Sequence, residues 1–199
     1  MSSFAGHTLA AASIYTLSEY PPSTVKRAGW LGCLILAACA PDIDYFLPDL
    51  RIGLDQTIRV THSFVGSLAL PSVTILAFVI FGLRGTALAT RSRQVIAAGL
   101  SHLVLDLLVG VSPLPLFWPF SLQTVRLPFG ILPSAGRIDW QNPLLYQNLL
   151  IEMGVLMPIV LIAYLIYRKR LATAWQKITS GGLAIVSIYF MIWAYGLSR

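Results

Sequence analysis

The sequence predicts an all-α membrane protein, a bundle of about six helices with some short or re-entrant members. Three observations carry that expectation. Hydrophobic residues make up 56% of the 199-residue chain and charged residues only 11%, against about 25% charged in a soluble domain; the mean hydropathy is +0.74. Three runs, Phe64 to Leu83, Leu149 to Tyr167 and Gly181 to Leu197, are long enough to cross a bilayer, which takes about 20 apolar residues. The basic residues gather in short clusters between apolar runs, where the positive-inside rule expects them. The net charge of +6 is thereby accounted for without a nucleic-acid partner.

The first helix is expected from Phe4 to Leu17 and the second from Ala28 to Ala40, both weak as spans. Pro41 ends the second, because proline lacks the amide proton and disfavours a helical Ala40. Cys33 and Cys39 lie six residues apart in that run, roughly 9 Å along a helix and too far for a disulfide, so they read as small core residues. Helix 3 is Phe64 to Leu83, and helix 4, shorter and marked by polar residues, is Gln94 to Val111. Helices 5 and 6 are the last two apolar runs. The opening "MSSFAGH" has neither a basic region nor a clean small-residue cleavage site, so no signal peptide is expected. With no repeat or low-complexity tract, residues 1–199 read as a single integral membrane domain.

The intervening segments sort by charge. Residues 18–27 hold Lys26 and Arg27, residues 84–94 hold Arg84, Arg91 and Arg93, and residues 168–180 hold Arg168, Lys169, Arg170 and Lys177, nine of the 14 basic residues. The other side holds Arg51, Arg59, Arg126, Arg137 and Arg199 with Asp42, Asp44, Asp49, Asp55 and Asp139. Six alternating helices then place both termini, the 41–61 loop and the 111–143 loop outside the cytoplasm. If helices 1 and 2 form a re-entrant pair, the 41–61 loop still emerges on that side.

The polar residues within this apolar chain are few and specific. "SHLVLD" sets His102 and Asp106 four residues apart on one helix face. An aspartate at a membrane helix centre costs about 2.5–3.5 kcal/mol on insertion scales, so such residues are partnered and usually functional. A plain His–Asp bond between helices is the simpler alternative. "CAPDIDYF" offers Asp42 and Asp44 at the membrane edge, either a solvated turn or a cation site. "RVTHSF" brings Arg59, Thr61, His62 and Ser63 to the start of helix 3, where Thr or Ser can also serve as an N-cap. His7 follows "SSFAG", and reads equally as an ordinary interfacial residue.

Topology weighs against the simpler alternatives. His7 starts helix 1, Asp42 and Asp44 follow helix 2, Arg59 and His62 precede helix 3, and His102 and Asp106 occupy the outer half of helix 4. Four segments deliver imidazoles and carboxylates to one membrane face at similar depth. Mixed His and Asp ligation suits zinc, with manganese or iron as alternatives. Three histidines and three aspartates suffice for one ion, or for two sharing a bridging carboxylate.

The ordered series "GH", "PDIDYF", "RVTHS", "SHLVLDLL" and "PLFWPFS", over residues 5–122, resembles the membrane-bound metal-dependent hydrolases, described as LexA-regulated inner-membrane proteins of bacteria. That family is similar in motif order to zinc-dependent phospholipase C and the related single-strand nucleases. The resemblance implies that Asp44 (or Asp42), His62, His102 and Asp106 hold one metal, with Asp106 bridging to a second near His7. Two departures stand out: Ile58 replaces a histidine common before the arginine of the "THS" segment, and no histidine follows His102. Glu152 is the only carboxylate late in the chain able to substitute, so one or two ions are expected rather than three.

The expectation is therefore a metal-dependent hydrolase acting on a phosphate ester of a membrane lipid or lipid-linked substrate at the extracytoplasmic face. A divalent ion would activate water, Arg59 would neutralise charge on the phosphoryl oxygens, and whichever of Asp42 and Asp44 is not a ligand would orient or deprotonate the water. Arg59, Thr61, Ser63 and Trp118 are the expected substrate contacts. Trp118 lies in the rigid aromatic "PLPLFWPF", which also suits an interfacial belt. Glu152 calls for a partner, either Arg126, Arg137, the metal site or a structural pair. A metal or ion transporter, a metal-stapled structural protein, and an amide or ester hydrolase are the alternatives.

Overall fold

In a computed structural model, residues 2–17, 24–47, 51–52, 58–134, 141–169 and 171–197 are described. Asp49, Asp55, Arg137, Asp139, Arg170, Arg199 and the side chain of Arg51 lie outside the described residues. The described residues form six α-helices: α1 Phe4–Thr16, α2 Thr24–Cys39, α3 Phe64–Ile80, α4 Gly85–Val109, α5 Pro143–Tyr167 and α6 Ala174–Tyr195. The only strands among the described residues are β1 (Arg51–Ile52) and β2 (Ile58–Arg59), paired antiparallel.

Local chemistry fixes the helix ends. Ser3 caps α1 by accepting from the Gly6 amide at 3.2 Å, and Ser63 caps α3 by accepting from the Gly66 amide at 3.0 Å. Pro41 does stop α2, and the chain tightens into a 3₁₀ turn, Ala40–Tyr45. Gly110 closes α4 in the left-handed region at φ 67°, where a side chain would be strained. Asn142 followed by Pro143 opens α5, and a capping box of Thr173 and Gln176 opens α6.

Four helices begin earlier than expected: α2 at Thr24 and not Ala28, and α4, α5 and α6 before Gln94, Leu149 and Gly181. Side-chain caps set the starts of α5 and α6, whereas α4 follows Arg84 without a side-chain cap and is extended by helix formers ahead of its apolar run. Arg91 and Arg93 consequently lie on α4 and not in a loop. Among the described residues, three helices are long and apolar enough to cross a membrane: α4, α5 and α6. Helix α3, expected as a full span, has 17 residues, roughly 26 Å, short of the ~30 Å hydrocarbon thickness.

Successive helices alternate in direction. The start of α1, the end of α2, the start of α3 and the last third of α4 meet at one end of the bundle. Ser3 against Glu152 brings the first half of α5 to the same end, and α6 returns along α5, where the Ser187 hydroxyl donates to the Val155 carbonyl at 2.9 Å. Helix α4 is the axis, packed on α1, α2 and α3. An apolar cluster of Ala11, Trp30, Leu34, Ala37, Ala38, Val95 and Ala98 fills the space among α1, α2 and α4. At Gly99 a Cβ would collide with the Ser67 carbonyl, so glycine is what lets α3 approach α4 this closely. Cys33 and Cys39 are free and half-buried.

Candidate metal centre

Five of the six expected ligands converge at the end of the bundle where α1 starts and α2 finishes. His7, His62 and His102 are fully buried, and Asp42 and Asp106 are 3% and 2% exposed. Asp42 arrives on the 3₁₀ turn that Pro41 imposes, and His62 on a second short turn, Val60–His62, locked by the Ser63 cap. The Ser63 hydroxyl also donates to the Val60 carbonyl at 2.7 Å.

At the centre, His62 Nε2 lies 3.1 Å from His102 Nε2, 3.4 Å from Asp42 Oδ1 and 3.5 Å from Asp106 Oδ2. His102 Nε2 lies 3.8 Å from Asp42 Oδ1 and 3.6 Å from Asp106 Oδ2. Ligand atoms about 2.0–2.1 Å from a tetrahedral metal stand roughly 3.3–3.4 Å from one another. These five separations surround that value. The other oxygens of the two carboxylates face His7: Nε2 is 3.9 Å from Asp42 Oδ2 and 3.8 Å from Asp106 Oδ1. Each aspartate thus presents one oxygen to the His62/His102 pair and one to His7.

The tautomer of His102 is fixed. Its Nδ1 lies 2.8 Å from the Ala38 carbonyl, which can only accept, so Nδ1 carries the proton and Nε2 turns a lone pair inward. The His7 ring stacks on it at 3.9 Å between centroids. Among the described residues, both His7 nitrogens and Asp106 Oδ2 are buried without a hydrogen-bond partner. Such atoms are costly unless something positive lies among them. Two groups, His7/His102/Asp106 and Asp42/His62/His102, place one donor atom each within 4.8 Å. The donor types, spacing and orphaned atoms fit a divalent cation.

Asp44 has a different place from the one expected of a ligand. The Arg59 guanidinium grips it through both oxygens, Nε donating to Oδ2 at 2.5 Å and Nη2 to Oδ1, and Nη2 also reaches Asp42 Oδ1 at 3.4 Å. Asp44 Oδ2 stands 3.8 Å from His62 Nδ1, and the Thr61 hydroxyl 3.0 Å from the same nitrogen. Arg59, Asp44 and Thr61 therefore orient His62 and Asp42 from behind. Burial lifts the Asp42 carboxyl above its ordinary range, opposed by His102 and Arg59. Burial, with Arg59 adding to it, lowers His62 to about 4, which keeps the imidazole neutral and able to ligate. Burial alone would lower Arg59, but its bond to Asp44 outweighs that and its pKa is raised.

Ser63, Trp118 and Glu152 complete the surroundings of the cluster. Ser63, expected at substrate, is fully buried and engaged as a cap. Trp118 is half-buried in its turn, and the neighbours that meet the start of α3 are Leu116, whose carbonyl accepts from Phe64, and Phe117, whose ring lies 5.7 Å from that of Phe64. Glu152 pairs with neither Arg126 nor the donor cluster. Its carboxylate accepts from the Ser2 and Ser3 hydroxyls and from the Ser3 amide at 2.9 Å, while the Ser2 amide donates to Asp106 Oδ1 at 2.8 Å. Those serines carried only a weak signal, adjacency to "GH".

Fold and site together define a helical membrane protein with buried histidine and aspartate groups able to hold a metal ion. The chain belongs to the YdjM inner membrane protein family, whose model matches residues 1–197. No curated protein and no solved structure matches it.

Proposed function

We propose that the chain is a metal-dependent hydrolase cleaving a phosphate ester of a membrane lipid or lipid-linked substrate at the extracytoplasmic face. The observation that carries this reading is the buried convergence of Asp42, His62, His102 and Asp106, in which each imidazole Nε2 lies 3.1–3.8 Å from the other and from one oxygen of each aspartate. A divalent ion, zinc on these donors with manganese or iron as alternatives, supplies Lewis acidity and lowers the pKa of a water to about 7. The Ala38 carbonyl holds the His102 ring in its ligating tautomer. Arg59, with its side chain 16% exposed, keeps positive charge at the edge of the cluster, where a phosphoryl oxygen would meet it. Asp44 holds that guanidinium in place, so the second aspartate acts through Arg59 and His62 in this reading.

The rim favours a lipid. Ile43, Tyr45, Phe46, Phe64 and Phe117 are exposed around the turns that carry the donors, an apolar mouth suited to acyl chains. Arg84, Arg91 and Arg93 lie at the opposite end of α4, which the positive-inside rule assigns to the cytoplasm. An impermeant maleimide should label Gln123→Cys, in a background lacking Cys33 and Cys39, in intact cells; labelling only after lysis would reverse the orientation.

Metal analysis of detergent-purified protein, paired with release of phosphate or headgroup from a lipid panel, tests the hydrolase reading. His102→Ala and Asp106→Ala should lose both metal and activity while remaining folded. Metal-free wild type, or activity surviving both changes, would refute it. The complete burial of the imidazoles also suits an ion that only staples the helices, and metal-loaded protein inert on every lipid would favour that reading.

A further inference from the structure

The buried glutamate of α5 has no place in the mechanism above, yet it is built into the same end of the bundle. Glu152 is 2% exposed, and among the described residues its carboxylate accepts hydrogen bonds from Ser2 and Ser3 only. Gly6 makes room for it, since a Cβ there would overlap the carboxylate. Ser3 is also the α1 cap, and its carbonyl accepts from the His7 amide at 3.1 Å. The clasp therefore sets the first turn of α1 and with it His7. Through the Ser2 amide it also reaches Asp106 Oδ1, the oxygen that faces His7 at 3.8 Å.

We infer that Glu152 is a positioning residue for a second cation, held by His7 Nε2 with Asp42 Oδ2 and Asp106 Oδ1. Glu152 touches no donor itself, and its clasp meets the centre through the first turn of α1 and Asp106 Oδ1, on the His7 side. The inference rests on the metal reading above and predicts more than it does: two ions in wild type, with separable requirements.

The test is metal stoichiometry per folded chain, measured on full-length protein purified in detergent and dialysed against zinc. Wild type should hold two ions. Glu152→Gln, which keeps the volume but loses an acceptor, should hold one. His62→Ala should show the opposite preference and weaken the His62/His102 ion. Ser3→Ala, a smaller change to the same clasp, should weaken the second ion at least tenfold and serves if Glu152→Gln does not fold. Two ions retained at wild-type affinity in both clasp variants would overturn the inference and leave the metal reading intact. A single ion in wild type would overturn it likewise. No ion in wild type would overturn the metal reading itself.

Discussion

Helix α4 buries two polar clusters eight residues apart, roughly 12 Å along the axis, and they are built on opposite principles. At Gln94 the side-chain amide is matched within the protein. Its oxygen accepts from Trp30 Nε1 and Arg91 Nη1, each at 3.1 Å, and its nitrogen donates to the Ile14 carbonyl at 3.1 Å. Arg91 lies over the Trp30 ring, 4.8 Å from its centroid. At His102 and Asp106 the matching is left open: lone pairs and carboxylate oxygens face one another, and three polar atoms of His7 and Asp106 have no partner among the described residues. Three carboxylates, Asp42, Asp44 and Asp106, lie there, and the Arg59 guanidinium reaches only Asp44 and Asp42. A satisfied polar network holds helices together; one short of positive charge calls for a cation.

The wall between the clusters bears on transport. Ala11, Leu34, Ala37, Ala38, Val95 and Ala98 are fully buried around the axis between Gln94 and His102. An ion pathway through the bundle would need polar lining at that level, so the transporter alternative gains nothing from the polar residues at the far end.

Substitutions sharpen the contrast. The largest effect is expected from Asp106→Ala or His102→Ala, which should abolish metal binding at the centre, read by elemental analysis of folded protein. Arg59→Gln should come next: freeing Asp44 and loosening His62 should lower metal affinity by about 10- to 100-fold, the usual cost of losing an outer-shell partner, measured by chelator competition. Gln94→Leu should cost about 1–3 kcal/mol of stability by stranding the Trp30 donor, seen as a lower unfolding temperature in detergent. Its metal content should not change. Metal loss in Gln94→Leu, or wild-type affinity in Arg59→Gln, would erase the distinction between the two ends.

The donor residues were legible in the sequence because each is a lone polar group in an apolar setting, and helix alternation alone brings them to one face. Which aspartate of "PDID" faces the cluster was not legible. That depends on side-chain direction in a 3₁₀ turn, and the Arg59 fork decides it by claiming both oxygens of Asp44. Glu152 stood out as needing a partner, but its partners are serines some 150 residues earlier, and hydroxyls near a chain start are too common to signal pairing. Helix starts at Thr24, Gly85, Pro143 and Ala174 were missed because charge and hydropathy mark where the apolar face begins, whereas the helix itself begins earlier, at a side-chain cap for Pro143 and Ala174.

X-ray absorption at the edge of the bound metal tests the central idea most directly. The expected first shell contains nitrogen and oxygen at about 2.0–2.1 Å with imidazole multiple scattering that weakens in His62→Ala and in His102→Ala. A sulfur shell near ~2.3 Å, implicating Cys33 or Cys39, or a spectrum unmoved by either histidine change, would contradict it.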